Sequence, residues 1–269
     1  MNRRKIILVL AFIGSSLLAS AQYLDPSSLE KAPIINFAET IDSAALKVSY
    51  RFTFVRDTLK PDIYTQPDVQ TLLIGRKTSK YFSQKFIEST YLSDNIGVCS
   101  FEIFKNHPEG QMTVTDIGNE FDLGTNFMYK EEMPVIDWTL TTDTSTVFYI
   151  PCRKATAFFR GRQYEAWFAS SIPIGEGPWK FHGLPGLILK VSDSKLQILF
   201  ECTGIQQLAK PEAIAIHRLN YQITTRQELN RLYKEFMDDV VGYSKKHLTE
   251  LMGQVDNVPP LPYNPIELE

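Results

Sequence analysis

Ala45-Leu-Lys-Val-Ser-Tyr-Arg-Phe-Thr-Phe-Val55 alternates apolar with polar side chains and is rich in β-branched and aromatic residues. A period of two is the mark of a strand with one buried face. Similar short runs recur at Val69 to Ile74, Ser79 to Phe82, Met112 to Thr115, Asn126 to Lys130 and Val135 to Thr139. They continue at Thr146 to Phe159, Gln163 to Ser170, Leu187 to Val191 and Leu196 to Thr203, with a short helix expected near Gln84 to Leu92. Turn signals at Phe159-Arg-Gly-Arg162 and Ser192-Asp-Ser-Lys195 bring consecutive runs close enough for hairpins. The sheet is therefore expected to be mainly antiparallel.

Past this β-rich region the pattern changes. Thr225 followed by Glu228 forms a capping box. Leu229, Leu232, Tyr233, Phe236, Met237, Val240 and Val241 then recur at three-and-four spacing. The expectation is one amphipathic helix over about 226–252, laid by its apolar stripe against the sheet and open to a kink at Gly242. Val258-Pro-Pro-Leu-Pro-Tyr-Asn-Pro265 excludes helix and reads as the start of an extended proline-rich tail, 258–269. The fold class expected is mainly β, a curved antiparallel sheet packed against a long C-terminal amphipathic helix (α+β), in a single domain over 22–257.

Asn2-Arg-Arg-Lys5, the apolar run Ile6 to Leu18 and the small-residue pattern Ala19-Ser20-Ala21 are the three regions of a secretory signal peptide. The apolar run is shorter than the roughly 20 residues of a spanning helix. Cleavage after Ala21 predicts an exported chain beginning at Gln22, periplasmic or secreted, with no membrane span. Loss of Arg3, Arg4 and Lys5 would leave 25 basic residues against 31 acidic ones, a net charge of −6. This acidic balance excludes nucleic acid as an expected partner. Cys99, Cys152 and Cys202 permit at most one internal disulfide, with three possible pairings.

Gly175-Glu-Gly-Pro-Trp-Lys-Phe-His-Gly-Leu-Pro-Gly-Leu-Ile-Leu189 is the most punctuated stretch of the chain. Leu184-Pro185-Gly186-Leu187 fits a type II turn, with proline at the second position and positive φ supplied by Gly186 at the third. Gly177-Pro178 makes another bend, so Trp179 to His182 is a short segment held between two turns. Together with Tyr149-Ile-Pro-Cys-Arg-Lys-Ala-Thr156, Phe159-Arg-Gly-Arg-Gln-Tyr-Glu-Ala-Trp-Phe168 and Ile172-Pro-Ile174, this stretch resembles the ordered motifs of the GLPGLI family of exported Bacteroidota proteins. The name-giving hexapeptide stands at Gly183 to Ile188. The resemblance covers about Tyr149 to Val191 and implies location and domain identity, with no particular reaction.

Three functions are compatible with these residues. Arg160, Arg162, Tyr164, Trp167, Trp179, Lys180 and His182 gather cations and aromatic faces within 23 positions. In one concavity they would bind an anionic or amphipathic molecule, or an extended peptide. In that reading Arg162 and Lys180 are exposed cations that contribute little to stability. An enzyme using Cys152 or a histidine is the second reading, with no orienting residue or oxyanion device legible beside the thiol; a structural partner in the cell envelope is the third. His107, His182, His217 and His247 lack the paired spacing of a zinc motif, and no phosphate loop or nucleophile elbow is present. No metal, cofactor or catalytic residue is therefore expected.

Overall fold

The computed structural model describes residues 38–60, 67–88, 100–117, 125–247 and 259–269. The expected signal peptide, Cys99 and the last residues of the expected helix lie outside these. Among the described residues one sheet holds twelve strands, opening with β1 (Ala38–Phe54), β2 (Asp68–Ile74), β3 (Ser79–Ser83) and β4 (Phe101–Lys105). It continues through β5 (Gln111–Asp116), β6 (Asn126–Glu132), β7 (Thr139–Val147) and β8 (Ile150–Phe159). The last four are β9 (Arg162–Ala169), β10 (Leu187–Asp193), β11 (Ile198–His217) and β12 (Tyr221–Ile223). The helices are α1 (Gln84–Glu88), α2 (Arg226–Asp238) and α3 (Val240–His247). The fold is mainly β.

Strands lie in the order β12-β6-β5-β4-β3-β2-β1-β11-β10-β9-β8-β7. All neighbours are antiparallel except β12 with β6, which makes the sheet mixed. Connectivity alone requires it to curl. β6 and β7 stand ten spacings apart in this order, about 48 Å along a flat sheet. The connection between them, residues 133–138, reaches about 25 Å when fully extended. The two flanks must turn towards each other, and Arg160, in the turn between β8 and β9, pairs with Glu131 of β6 at 2.7 Å. Residues 133–138, expected to begin a strand at Val135, are this irregular crossing. A chain bridging two flanks has no neighbouring strand to pair with.

The strand registers place Tyr50, Phe52, Tyr81, Ile103, Val114, Tyr129 and Phe200 on the inner face of the curl. Phe52 and Phe200 stack there with centroids 4.7 Å apart. On the opposite face Leu73, Phe82, Phe104 and Ile214 form a second cluster. The far half of β11 covers it. Lys80 Nζ donates to the Ala215 carbonyl at 3.0 Å, and Glu102 meets both Lys80, at 2.6 Å, and His217, at 3.1 Å. Register shifts between Thr40 and Asp42, and between Ala44 and Leu46, are bulges that let the paired β1–β11 ribbon bend across the sheet.

Two features depart from the sequence reading. Thr146 to Phe159 is not one strand, because Phe148 and Tyr149 turn between β7 and β8 with φ of 48° and 62°. Both central residues have positive φ, as a type I′ hairpin requires, yet neither is a glycine or asparagine. The single long helix is also absent. α2 begins as expected, with Thr225 Oγ1 accepting from the Glu228 amide at 3.1 Å, but breaks at Asp239, where φ is −149° and ψ is 82°. Asp239 then caps α3 by accepting from the Gly242 amide at 2.8 Å. A Cβ on Gly242 would stand 2.0 Å from that carboxylate, so its missing side chain makes room for the cap. Leu229 of α2 reaches the main core, while Phe236, Met237, Val240 and Tyr243 form a small separate cluster.

The Gly175–Leu189 stretch is anchored from β4. Lys105, fully buried, donates to the Gly177 carbonyl at 2.7 Å and the Phe181 carbonyl at 3.2 Å, and pairs with Glu176 at 2.6 Å. Burial lowers the Lys105 pKa and Glu176 opposes the shift. The type II turn is overturned: Gly186 does not have positive φ, and its amide donates to the Leu184 carbonyl at 2.8 Å. What requires glycine is close approach, because a Cβ there would stand 2.3 Å from the Ala169 carbonyl oxygen. At Gly175 the nearest atom to a Cβ would be 3.2 Å away. Gly186→Ala should therefore lower stability by about 1–3 kcal/mol, more than Gly175→Ala does. Thermal unfolding of the two variants checks this, and equal midpoints would contradict the close approach.

Candidate binding cavity

A cavity of about 210 Å³ lies against the inner face of the curl. Phe52, Phe54, Tyr81, Ile103, Val114 and Phe200 form its floor. Leu229, Tyr233 and Met237 of α2 form one side, and residues 262–267 form another. Tyr233 holds α2 in place by donating to Asp116 Oδ2 at 2.6 Å. Trp179 and Lys180 complete the wall from the loop between β9 and β10.

The proline-rich stretch is no free tail. The Leu261 amide donates to the Met237 carbonyl at 2.7 Å, and Asn264 Nδ2 donates to the Val55 carbonyl at 2.7 Å. Arg162 grips the middle with its guanidinium. It donates to Asn264 Oδ1 and the Pro265 carbonyl, each at 2.6 Å, and to the Ile266 carbonyl at 3.1 Å. The same side chain pairs with buried Asp193 at 3.1 Å. Proline leaves its neighbours' carbonyls without local donors, and a guanidinium supplies several in one plane.

Glu267 ends in the basic cluster that the sequence had singled out. It pairs with Lys180, and with Arg226 of α2 at 3.0 Å; the Arg160 guanidinium lies 3.9 Å away. Lys180, 1% exposed, also meets Glu131 at 2.8 Å and the Tyr129 hydroxyl at 3.0 Å. Burial alone would lower the Lys180 pKa, but Tyr129, Glu267 and Glu131 outweigh it and hold the ammonium above its ordinary value. Burial pushes the Tyr129 phenol up to about 12, with Lys180 acting against it.

The structure thus brings Arg160, Arg162, Tyr164, Trp179 and Lys180 to one side of the curl, but as buried or half-buried groups paired with the chain itself. The expectation that Arg162 and Lys180 are exposed is overturned. Arg162 takes its anion from Asp193 on neighbouring β10, and further partners lie far away in the sequence, Tyr129 and Glu131 on the opposite flank of the sheet and Asn264 to Glu267 on the proline-rich segment. Trp167 lies on the opposite face of β9 from Arg162 and Tyr164, with Lys154 Nζ 5.8 Å from its ring, so it does not join them. His182 is half-buried behind the loop, its Nε2 2.9 Å from the Pro134 carbonyl, and burial followed by Lys105 lowers its pKa. Trp179 holds a φ of 50° while its ring packs on Phe159 and Phe181. A bulky residue in that region costs on the order of 1 kcal/mol, which its ring contacts offset.

Glu131, Arg226 and Glu267 were missed because each reads alone as a solvated surface charge. Cys152 and Cys202 are free and buried. Burial raises the Cys152 pKa, and pushes that of Cys202 up to about 11, so both thiols stay protonated and poorly nucleophilic. Among the described residues, no group of three or more His, Cys, Asp and Glu is placed to hold a metal ion. No described helix is long and apolar enough to cross a membrane.

A family model described as a protein of unknown function, Porph_ging, matches residues 159–190, from the end of β8 through the loop carrying Trp179 and Lys180 into β10. No curated protein matches the chain. Two crystal structures of PNGF-II are similar in fold. The first has a TM-score of 0.51 at 12% identity, covering 71% of this chain and 33% of that one. The second has a TM-score of 0.46 at 13% identity, covering 69% and 31%. The chain therefore spans about a third of the length of these proteins.

Arg162→Ala is expected to lower the unfolding free energy by about 3 kcal/mol or more, because it leaves buried Asp193 without its cation and unhooks three groups of the proline-rich segment. Arg51→Ala, which breaks an exposed pair with Glu201, should cost less than about 1 kcal/mol. Urea unfolding compares them, and equal losses would contradict a structural role for Arg162.

Proposed function

We propose that this is an exported, non-catalytic binding protein whose cavity receives the apolar end of an amphipathic ligand. The observation that supports this most is the lining: mainly aromatic and aliphatic side chains from several strands, with charge at Arg56 and where Lys180 and Glu267 meet. A concave, mostly apolar space with a few placed polar groups is the usual form of a small-molecule site. The resemblance to exported proteins over Tyr149 to Val191 and the signal-peptide pattern at residues 1–21 support export to the periplasm or beyond. The buried, protonated state of Cys152 disfavours the thiol-enzyme alternative.

The test uses the neutral apolar fluorophore N-phenyl-1-naphthylamine. The wild-type protein should give saturable fluorescence enhancement. Val114→Phe, which places a ring in the cavity, should weaken binding by about tenfold or more, at a stability cost of about 1–3 kcal/mol. Non-saturable fluorescence with the wild type, or equal affinity in both proteins, would overturn the reading.

A further inference from the structure

We propose that residues 262–267 are a displaceable strap, and that Glu267 holds the seat of a ligand's head group: the cavity takes a single-chain amphiphile ending in a carboxylate. This rests on the binding reading above and names the ligand class.

Size is the first argument. The cavity, partly open to the surface and about 210 Å³ in volume, is smaller than the roughly 300–1,000 Å³ of typical small-molecule sites. The strap supplies six consecutive wall residues, 262–267, none of which belongs to a strand, so its withdrawal enlarges the space.

The manner of attachment is the second. The middle and far end of the strap are held by hydrogen bonds and ion pairs from Arg162, Lys180 and Arg226, while Tyr263 packs on the small Phe236 cluster and Ile266 on the main core. Ile266 followed by Glu267 presents an aliphatic group against the core and then a carboxylate among cations. A fatty carboxylate presents the same two chemistries in the same order.

Charge selects the ligand. Arg160, Lys180 and Arg226 share the two carboxylates Glu131 and Glu267. When Glu267 leaves, Glu131 is the carboxylate that remains to these three cations among the described residues; the Glu269 carbonyl on Arg226 and the Tyr129 hydroxyl on Lys180 carry no full charge, and Lys180 and Arg226 are too buried for water to compensate them fully. An incoming carboxylate restores the original balance, whereas a neutral head group does not. Anion and strap therefore compete for one seat.

Titration calorimetry with decanoate and decanol separates the possibilities. Glu267→Gln removes the internal competitor and frees the strap, so it should bind decanoate about tenfold tighter than the wild type and tighten decanol as well, and in the wild type decanoate should bind about tenfold tighter than decanol. Glu267→Asp should behave as the wild type. Arg226→Gln removes one seat cation, which holds the strap's carboxylate and the ligand's alike, and should lower the ratio of decanoate to decanol affinity about tenfold. Equal decanoate affinity in wild type and Glu267→Gln would overturn the proposal, as would equal affinity of the wild type for decanoate and decanol or a selectivity unaffected by Arg226→Gln, either of which marks a loosened strap with no head-group seat. Binding of neither ligand to any form would overturn the cavity reading itself and this inference with it.

Discussion

A buried ammonium at Lys180 requires counter-charge, and three distant segments of the chain meet to supply it. Lys180 stands in the loop between β9 and β10, Glu131 on β6 near the opposite flank of the sheet, and Glu267 on the proline-rich strap. Were any of them elsewhere, a charge would be left in low dielectric without a partner, a loss of several kcal/mol. The curl of the sheet is what allows the meeting: flanks about 48 Å apart in a flat sheet must turn to face each other. Lys105 has a parallel role beneath the same loop. Its three oxygen partners fix the Gly175–Phe181 backbone against β4, and so fix where Trp179 and Lys180 point.

The cavity follows from this arrangement. The inner faces of the two flanks share one core, in which Phe181 meets Phe159, Tyr164 and Phe200, and the cavity lies beside it against β1 to β5. α2 and the strap close the remaining side, and the strap's polar attachment makes it the more easily replaced segment of the wall. A helix docked through Leu229 and tied by Tyr233 to Asp116 is harder to move than a segment held by side-chain forks. The strain in Trp179 fits the same picture, because a ring held at φ 50° on the cavity wall is maintained by the packing around it.

Strand alternation made the β fold legible, because β1, β2, β3, β5, β6, β9 and β10 each carry an apolar face or a short apolar run. The β7–β8 hairpin was not legible as two strands, since Phe148 and Tyr149 carry none of the turn chemistry that positive φ usually demands. The helix break left a readable trace in Asp238-Asp239 followed by Gly242, but helical spacing on both sides overrode it. Gly186 was recognised as needing glycine for the wrong reason: sequence shows a Pro-Gly pair, whereas the neighbour that excludes a Cβ, Ala169, comes from another strand end. The candidate site was half legible. Five of its seven residues gather on one side of the curl, but the anions that hold the cations there, Glu131 and Glu267, belong to segments that only the curl brings near.

Hydrogen–deuterium exchange over residues 259–269 tests the central claim most directly, that a carboxylate-bearing strap seals the curled sheet around Lys180. Bonds from the Leu261 amide to the Met237 carbonyl and from the Leu268 amide to the Arg160 carbonyl, 2.7 and 3.0 Å long, predict amides that exchange far more slowly than in an unstructured peptide, with protection lost in Glu267→Gln. Exchange at unstructured-peptide rates in the wild type, or protection unaffected by Glu267→Gln, would contradict it.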